Sequence, residues 1–280
     1  RGGGAGNAAA TPVSAGERIY AVFGTGVVAA FSLDGERLWA KHLGGSPIGF
    51  GHSASPLLAG GRLIVHVREL TALDPKTGEE AWQVELPAKH GSPVATKIGV
   101  DEVIITPSGA IVGAADGRLL AEKLFELSEN SPLVHEGVIY AHGSREIVAL
   151  QLGDSLGEPV KPEPLWKADY RSEQRMASAV WHEGRLYAAS RRGILDVTDA
   201  ATGRPLFKER LDVGEIFSSL TAAGGLVYAS GRDGRTAVIR PAAKYEEVVQ
   251  NELENFSSTP LFAGSKMFIR TSKKLYCVEE

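Results

Sequence analysis

The 280-residue chain lacks the residues and runs that mark several classes of protein. It holds one cysteine, Cys277, so no disulfide can form within the chain. No apolar run approaches the roughly 20 residues that a membrane-spanning helix needs, and no membrane span is predicted. The net charge of −4 is small, so the total charge indicates neither nucleic-acid binding nor a polybasic membrane surface.

Segments with the length and periodicity of a helix are also missing, and short apolar runs take their place. Residues 53–86 show the pattern, with apolar runs broken at Gly60-Gly61, at Arg68-Glu69 and at residues 74–78. Pro75 presets φ for a turn, and Gly78 can adopt the left-handed conformation that closes it. This pattern predicts four short strands joined by tight turns.

Similar segments recur along the chain at a period of roughly 40 residues, which is typical of repeat architectures. A single flat sheet cannot bury both faces, so we expect the copies to stack on one another. Four-stranded units in radial array form a β-propeller. We therefore predict an all-β fold, one β-propeller domain over residues 1–280, with antiparallel blades at residues 11–43, 54–86, 91–124, 130–168, 177–211, 218–253 and 257–280.

The seventh copy stops after three predicted strands. A propeller must close without an unpaired edge, so the missing strand is expected upstream of Thr11. Residues 1–10 are too rich in glycine and alanine to form a convincing strand. We therefore expect the native closing strand to precede Arg1, and the number of blades, seven or eight, is left open.

Aromatic residues recur late in the repeat, on the predicted outermost strand. We expect them to pack against the turn of the following blade. The third blade has Ala121 at this place, so its seam should be weaker. The alternative role, a platform for stacking sugars, suits Trp181 best because that residue breaks the pattern. The residues of the pattern are Trp39, Trp82, Trp166 and Phe207.

The spacing Ala72-x-Asp74-x-x-x-Gly78-x-x-x-Trp82 resembles the PQQ-type propeller repeat of the quinoprotein alcohol dehydrogenase-like superfamily. It recurs loosely from Ala30 to Trp39 and from Val197 to Phe207. The resemblance covers nearly the whole chain and is nearest to PQQ-like, BamB-like propeller proteins. It implies a propeller of seven or eight blades and an extracytoplasmic location in the periplasm or cell envelope. The repeat itself carries little information about function.

Enzymes of the quinoprotein class carry two adjacent cysteines, a tryptophan floor and a calcium ion held by acidic and amide side chains. Cys277 stands alone, and no such set can be matched in this sequence. We therefore expect no catalytic residue, no cofactor and no metal site. A degenerate quinoprotein-like enzyme with a site in the central funnel is kept as an alternative.

Other motifs are better explained by turns and loops. Residues 23–29 resemble a dinucleotide-binding loop, but a strand rather than a helix is predicted to follow. Gly153-Asp154-Ser155-Leu156 lies in a predicted surface insertion and lacks the strand-to-helix elbow of a nucleophilic serine. No metal-ligand spacing relates the histidines, and most are expected at edges or in loops: His42, His52, His66, His90, His135, His142 and His182.

One constellation indicates a binding surface. In a propeller, the turns after each second strand and the loops between blades share one face. Arginines there would ring that face with positive charge, and arginine binds carboxylate, sulfate or phosphate with two hydrogen bonds. Arginines at exposed turns could instead serve solubility alone. The candidates after second strands are Arg68, Arg145, Arg191, Arg192, Arg232 and Arg270, and inter-blade loops add His90 and Arg175.

These observations favour a non-catalytic binding or scaffolding propeller. Its arginine-ringed face would hold a protein partner, an extended peptide or an acidic glycan. The alternatives are the degenerate quinoprotein-like enzyme and a glycan-binding accessory protein.

Overall fold

The computed structural model describes residues 9–156, 160–169 and 174–279. Within these ranges the chain consists of β-strands, turns and loops, with no helix of the length and apolarity that crossing a membrane requires. The chain forms two compact units. The first unit consists of Arg1–Ala141 and Leu150–Glu163, and the second consists of His142–Ala149 and Pro164–Glu280. The expectation that residues 1–10 do not supply a strand falls mainly on residues 1–8, outside the described part of the chain.

Three four-stranded antiparallel sheets come first in the chain, and their strands pair in chain order. Blade 1 contains β1 (Val13–Ala15), β2 (Arg18–Val22), β3 (Val27–Ser32) and β4 (Arg37–His42). Blade 2 contains β5 (Leu57–Ala59), β6 (Arg62–His66), β7 (Leu70–Leu73) and β8 (Glu80–Val84). Blade 3 contains β9 (Val94–Ile98), β10 (Asp101–Ile105), β11 (Ile111–Gly113) and β12 (Leu119–Ala121).

Four further sheets follow the same order. Blade 4 contains β13 (Leu133–His135), β14 (Val138–His142), β15 (Glu146–Gln151) and β16 (Glu163–Asp169). Blade 5 contains β17 (Val180–His182), β18 (Arg185–Ala189), β19 (Ile194–Asp199) and β20 (Pro205–Arg210). Blade 6 contains β21 (Thr221–Ala223), β22 (Leu226–Ser230), β23 (Arg235–Ile239) and β24 (Glu247–Glu252). Blade 7 contains β25 (Leu261–Ala263), β26 (Lys266–Arg270) and β27 (Leu275–Glu279).

The predicted fold class is confirmed: this is an all-β propeller built of antiparallel blades. Among the described residues, six sheets have four strands and the last has three. The description of residues 1–280 as one domain stays a prediction.

The inner strands of a blade bury both faces because a neighbouring blade covers each. In blade 2, Leu63 and Val65 pack into a cluster with Tyr20 of blade 1, whereas Ile64 packs into a cluster with Ile104 of blade 3. Alternate residues of a strand point to opposite faces. The uninterrupted apolar run of β6 therefore reflects burial on two sides rather than one.

Hydroxyl groups at the blade openings join neighbouring blades within each unit. The backbone N–H of one opening residue donates to the side-chain oxygen of the corresponding residue in the following blade, which suits the Ser/Thr-Pro openings of the sequence. In the first unit these bonds run from Thr11 to Ser55 (2.9 Å), Ser55 to Ser92 (2.8 Å) and Ser92 to Ser131 (2.9 Å). In the second unit they run from Ser178 to Ser219 (3.2 Å) and from Ser219 to Thr259 (3.0 Å).

The recurring tryptophans pack on the next blade as predicted. Trp82 Nε1 donates to Ala114 O at 3.2 Å, and its ring lies so close to Gly117 that an added Cβ would be 2.7 Å from Cδ2. Gly117 has φ +74°, a conformation that side chains other than glycine rarely adopt. The same pair of contacts joins Trp39 to Pro75 O and Gly78, and Trp166 to Ala200 O and Gly203.

Blade 3 has neither the tryptophan nor the phenylalanine of this pattern, and it is covered differently. Where blades 1, 2 and 4 carry an indole, blade 3 has Ala121, and the long insertion of blade 4 folds back on blade 3. Val160 is buried and donates its N–H to Leu120 O at 3.1 Å. Asp154 O approaches Gly99 on the same blade. The insertion therefore covers the seam that the small side chain leaves open; whether that seam is weaker stays a prediction.

Trp82→Ala is expected to lower the free energy of unfolding by about 3 kcal/mol, because it removes a large ring packed between two blades. Trp82→Phe retains a ring and loses the indole hydrogen bond, so it should cost about 1 kcal/mol. Urea unfolding followed by circular dichroism measures both. A loss below about 1 kcal/mol for Trp82→Ala would contradict the role given to this contact.

Candidate functional site

The loops between blades are tied to the turns after second strands. Leu211 N donates to Gly193 O at 2.9 Å, and Gly193 has φ +79°, so glycine is favoured at this point of the turn. Within each unit, these hydrogen bonds hold the loop between two blades beside the turn after a second strand, as the sequence analysis expected. The same bond joins Leu43 to Gly26, Leu124 to Gly109 and Leu253 to Gly234.

The arginines after second strands lie at equivalent turns. Five of them lie within three residues after the end of their second strand, in the turn that leads to the third, and Arg270 is the last residue of its second strand. Their shared location agrees with the sequence analysis, and their role in binding stays a prediction. The residues are Arg68 after β6, Arg145 after β14, Arg191 and Arg192 after β18, Arg232 after β22 and Arg270 at the end of β26.

In the second unit, two of these arginines share one carboxylate. Arg191 Nη2 lies 2.8 Å from Glu215 Oε1, and Arg232 Nη1 lies 3.6 Å from Glu215 Oε2. Glu215 belongs to the loop between blades 5 and 6. Backbone bonds hold this loop between the two turns, since Arg232 N donates to Glu215 O at 2.9 Å and Ile216 N to Arg191 O at 2.8 Å.

Both guanidinium groups also cover the ring of Phe217. Their Cζ atoms lie 5.2 Å (Arg191) and 4.8 Å (Arg232) from the ring centroid, within the range of cation–π attraction. Beside them is an open cleft of about 440 Å³. Its lining residues are Gln174, Arg191, Arg192 and Glu215.

In the first unit, two of the predicted binding residues, Arg68 and His90, lie near the loop between blades 1 and 2. The Arg68 side chain is exposed and packs along Gly44. His90 Nδ1 lies 3.3 Å from Ser53 Oγ, and that hydroxyl donates to His90 O at 3.0 Å. The ring of Phe50, which is 68% exposed, lies 6.3 Å from the His90 ring. This is a mixed aromatic and basic surface.

Arg145 and Arg270 are exposed. The backbone of Arg270 is fixed by Ser258, whose hydroxyl donates to Arg270 O at 2.8 Å and accepts from Arg270 N at 3.2 Å. Both side chains therefore remain available at their turns.

Arg175, which was expected on the binding surface, lies beneath it. Only 2% of Arg175 is exposed, and its Nη2 donates to Asp196 Oδ2 at 2.8 Å. Lys208 Nζ approaches the other oxygen of Asp196 at 3.4 Å. Burial lowers the pKa of Arg175 to about 9 and raises the pKa of Asp196. The enclosed carboxylate on β19 thus holds this arginine inside blade 5.

Three of the histidines are buried rather than placed at edges and in exposed loops. They are His52, His66 and His142, each at most 3% exposed. Burial lowers the pKa of His52 from 6.5 to about 4, and it lowers the pKa of His66 and of His142 as well. These imidazoles are therefore neutral parts of the interior at pH 7.

Residues 23–27 form the tight turn between β2 and β3, as the sequence analysis expected. Phe23 N donates to Val27 O at 2.8 Å, and Gly26 N donates to Phe23 O at 2.8 Å. In the parts of the chain that the structure describes, no group of three or more His, Cys, Asp or Glu side chains is arranged to hold a metal ion.

Sequence analysis missed Glu215 and Phe217. A repeated pattern in the sequence could have indicated Phe217. A phenylalanine immediately precedes the serine that opens blade 6 (Phe217, Ser218), and the same holds for blade 7 (Phe256, Ser257). Only the fold shows that the ring and the acidic residue two positions earlier meet the arginines of two different turns.

Comparison with known proteins agrees with this architecture. The family model described as outer membrane protein assembly factor BamB matches residues 4–155 and 160–245. BamB from Moraxella catarrhalis has a similar crystal structure, with TM-score 0.73 and 14% identity over 94% of this chain and 79% of that one. The computationally designed Ika8 protein gives TM-score 0.72 and 13% identity, over 99% and 85% of the respective chains. No curated protein sequence matches.

The burial of His52 predicts a loss of stability in acid. The unfolded chain takes up a proton near pH 6.5 and the folded chain only near pH 4, so stability present above pH 6.5 is lost as pH falls through this window. The loss due to His52 is about 3 kcal/mol, and His66 and His142 act in the same direction.

Urea unfolding between pH 7.5 and pH 4 measures this dependence. His52→Gln should flatten it relative to the parent chain, whereas His42→Gln, at an exposed position on β4, should leave it unchanged. An equal pH dependence in the parent and His52→Gln proteins would refute the assignment.

Proposed function

The chain belongs to the family of outer membrane protein assembly factor BamB, and from that premise we propose that it is a non-catalytic binding module. Its cleft beside Arg191, Arg192 and Arg232 holds an acidic segment of a partner. The observation that carries this proposal is the convergence of Arg191 and Arg232, from two turns of the second unit, on Glu215, which lines the cleft.

The charge of the cleft supports an anionic partner. Arg191, Arg192 and Arg232 outnumber the acidic side chain of Glu215, although the chain as a whole carries −4. Guanidinium groups bind carboxylates through paired hydrogen bonds. Because both arginine–glutamate pairs are about half exposed, the net cost of exchanging the internal carboxylate for an external one is small.

The remaining predicted residues have two roles in this proposal. Arg68 and His90 of the first unit, and Arg145 and Arg270 of the second, are additional contact points at turns and loops of the same kind. Arg175 does not touch the partner. It acts from below, because its bond to Asp196 stabilises β19 of the blade that carries Arg191.

We also propose that the protein works outside the cytoplasm, in the cell envelope, in association with another protein. The support for this is the family whose model matches the chain, described as an outer membrane protein assembly factor. The quinoprotein-like enzyme remains the alternative from the sequence. Incubation with PQQ and calcium, followed by absorbance and melting temperature, separates it from a binding module.

The double variant Arg191→Gln/Arg232→Gln tests the cleft. Fluorescence anisotropy is measured with a labelled hexaglutamate peptide and a labelled polygalacturonate at low and physiological salt. We expect the parent chain to bind at low salt and to weaken as salt rises, and the double variant to lose about tenfold or more in affinity.

Arg240→Gln is the matched control, because Arg240 is also exposed and paired with a glutamate, Glu246, at 2.6 Å. It lies after a third strand rather than a second, so its removal should leave affinity unchanged. Equal losses in the two variants would indicate only a non-specific charge effect and would contradict the proposal. Unchanged binding by Arg191→Gln/Arg232→Gln would do so as well.

A further inference from the structure

We propose that the occupant of this cleft is an acidic peptide, and that Glu215 is a built-in competitor which the peptide's carboxylate displaces. This inference rests on the proposed function and assigns the ligand class and a regulating residue. It adds Glu215 and Phe217 to the site.

The site already holds a carboxylate that the chain itself supplies. Residues 212–215 form a short acidic segment that crosses between the turns of blades 5 and 6. Asp212 contacts Arg235 Nη1 at 2.8 Å, and Glu215 contacts Arg191 and Arg232 with one oxygen each. The spacing of the two guanidinium groups is therefore suited to a carboxylate between them.

The two arginine side chains are already held in place by their surroundings. A free arginine side chain loses considerable rotamer entropy when it binds. Here Phe217 supports both guanidinium groups from below, and Arg191 Nε is buried with no hydrogen-bond partner among the described residues. The guanidinium groups of Arg191 and Arg232 are therefore positioned before a partner binds. Arg191 Nε is a further hydrogen-bond donor besides the guanidinium nitrogens that pair with Glu215.

The surroundings of Phe217 favour a peptide over a glycan as the ligand. Proteins that stack sugars need an exposed aromatic face, whereas the ring of Phe217 is covered by two guanidinium groups. A cleft of about 440 Å³ is large enough for a few side chains of an extended segment. Complementary charge then selects a segment rich in aspartate or glutamate.

The structure gives Glu215 the properties of a competitor. Its side chain is 46% exposed and held by ion pairs rather than by apolar packing, so it can leave without opening the core. Its backbone remains fixed by the bonds to Arg191 and Arg232. Removing its charge should free the arginines while leaving the loop in place.

The experiment compares the parent chain with Glu215→Gln, using the labelled hexaglutamate peptide and the labelled polygalacturonate as probes. We expect Glu215→Gln to bind hexaglutamate about three to five times more tightly, the range that follows from the strength of exposed ion pairs. The matched control is Glu246→Gln, which removes a carboxylate paired with Arg240 and should leave the affinity unchanged. Melting curves of all variants verify that each is folded.

The outcomes separate the two proposals. Binding by the parent chain that depends on Arg191 and Arg232, with no gain in Glu215→Gln, would overturn the competitor and leave the proposed function standing. No binding of either probe by the parent or Glu215→Gln would overturn both. A gain for polygalacturonate without a gain for hexaglutamate would overturn the assignment of a peptide and favour an acidic glycan.

Discussion

The contact between the last strand of one blade and the turn of the next determines much of this structure. An indole lies flat against a turn glycine and donates to a carbonyl of the same turn, as Trp39 does with Gly78 and Pro75 O. A hydroxyl bond at the blade opening secures the other end of the seam. Since blade 2 packs one face on blade 1 and the other on blade 3, stability is shared between adjacent blades rather than contained within one.

The residues that join the blades are different from the residues that form the candidate site. Seams use tryptophan, glycine and hydroxyl groups at fixed positions of the repeat, whereas the turns after second strands are held by a leucine-to-glycine backbone bond. The side chains beside that bond are free to differ between blades. Arg191 and Arg232 occupy such positions, and so does Glu215 in the loop between them. A charged cleft is therefore built without disturbing the core.

The repeating features of the fold could be predicted from sequence because they arise from local chemistry. Turn residues predict where the strands begin and end. The spacing that ends at Trp82 predicts the four-stranded blade and the packing of the tryptophan on the following blade. The features that sequence missed arise where non-equivalent segments meet. Val160 covers blade 3 because of an insertion in another blade, and Arg175 is buried because Asp196 on β19 is enclosed. A local sequence pattern does not predict such contacts, because the residues that make them are far apart in the chain.

Hydrogen exchange of the Trp39→Ala protein, followed by mass spectrometry, tests the shared stability of adjacent blades most directly. The indole is removed from β4 of blade 1, where it lies near Tyr20, but its hydrogen bond and its contact with Gly78 are with the turn of blade 2. The account predicts faster exchange both in β4 and across β7, β8 and their turn in blade 2. Faster exchange confined to blade 1, with blade 2 as protected as in the parent chain, would contradict it.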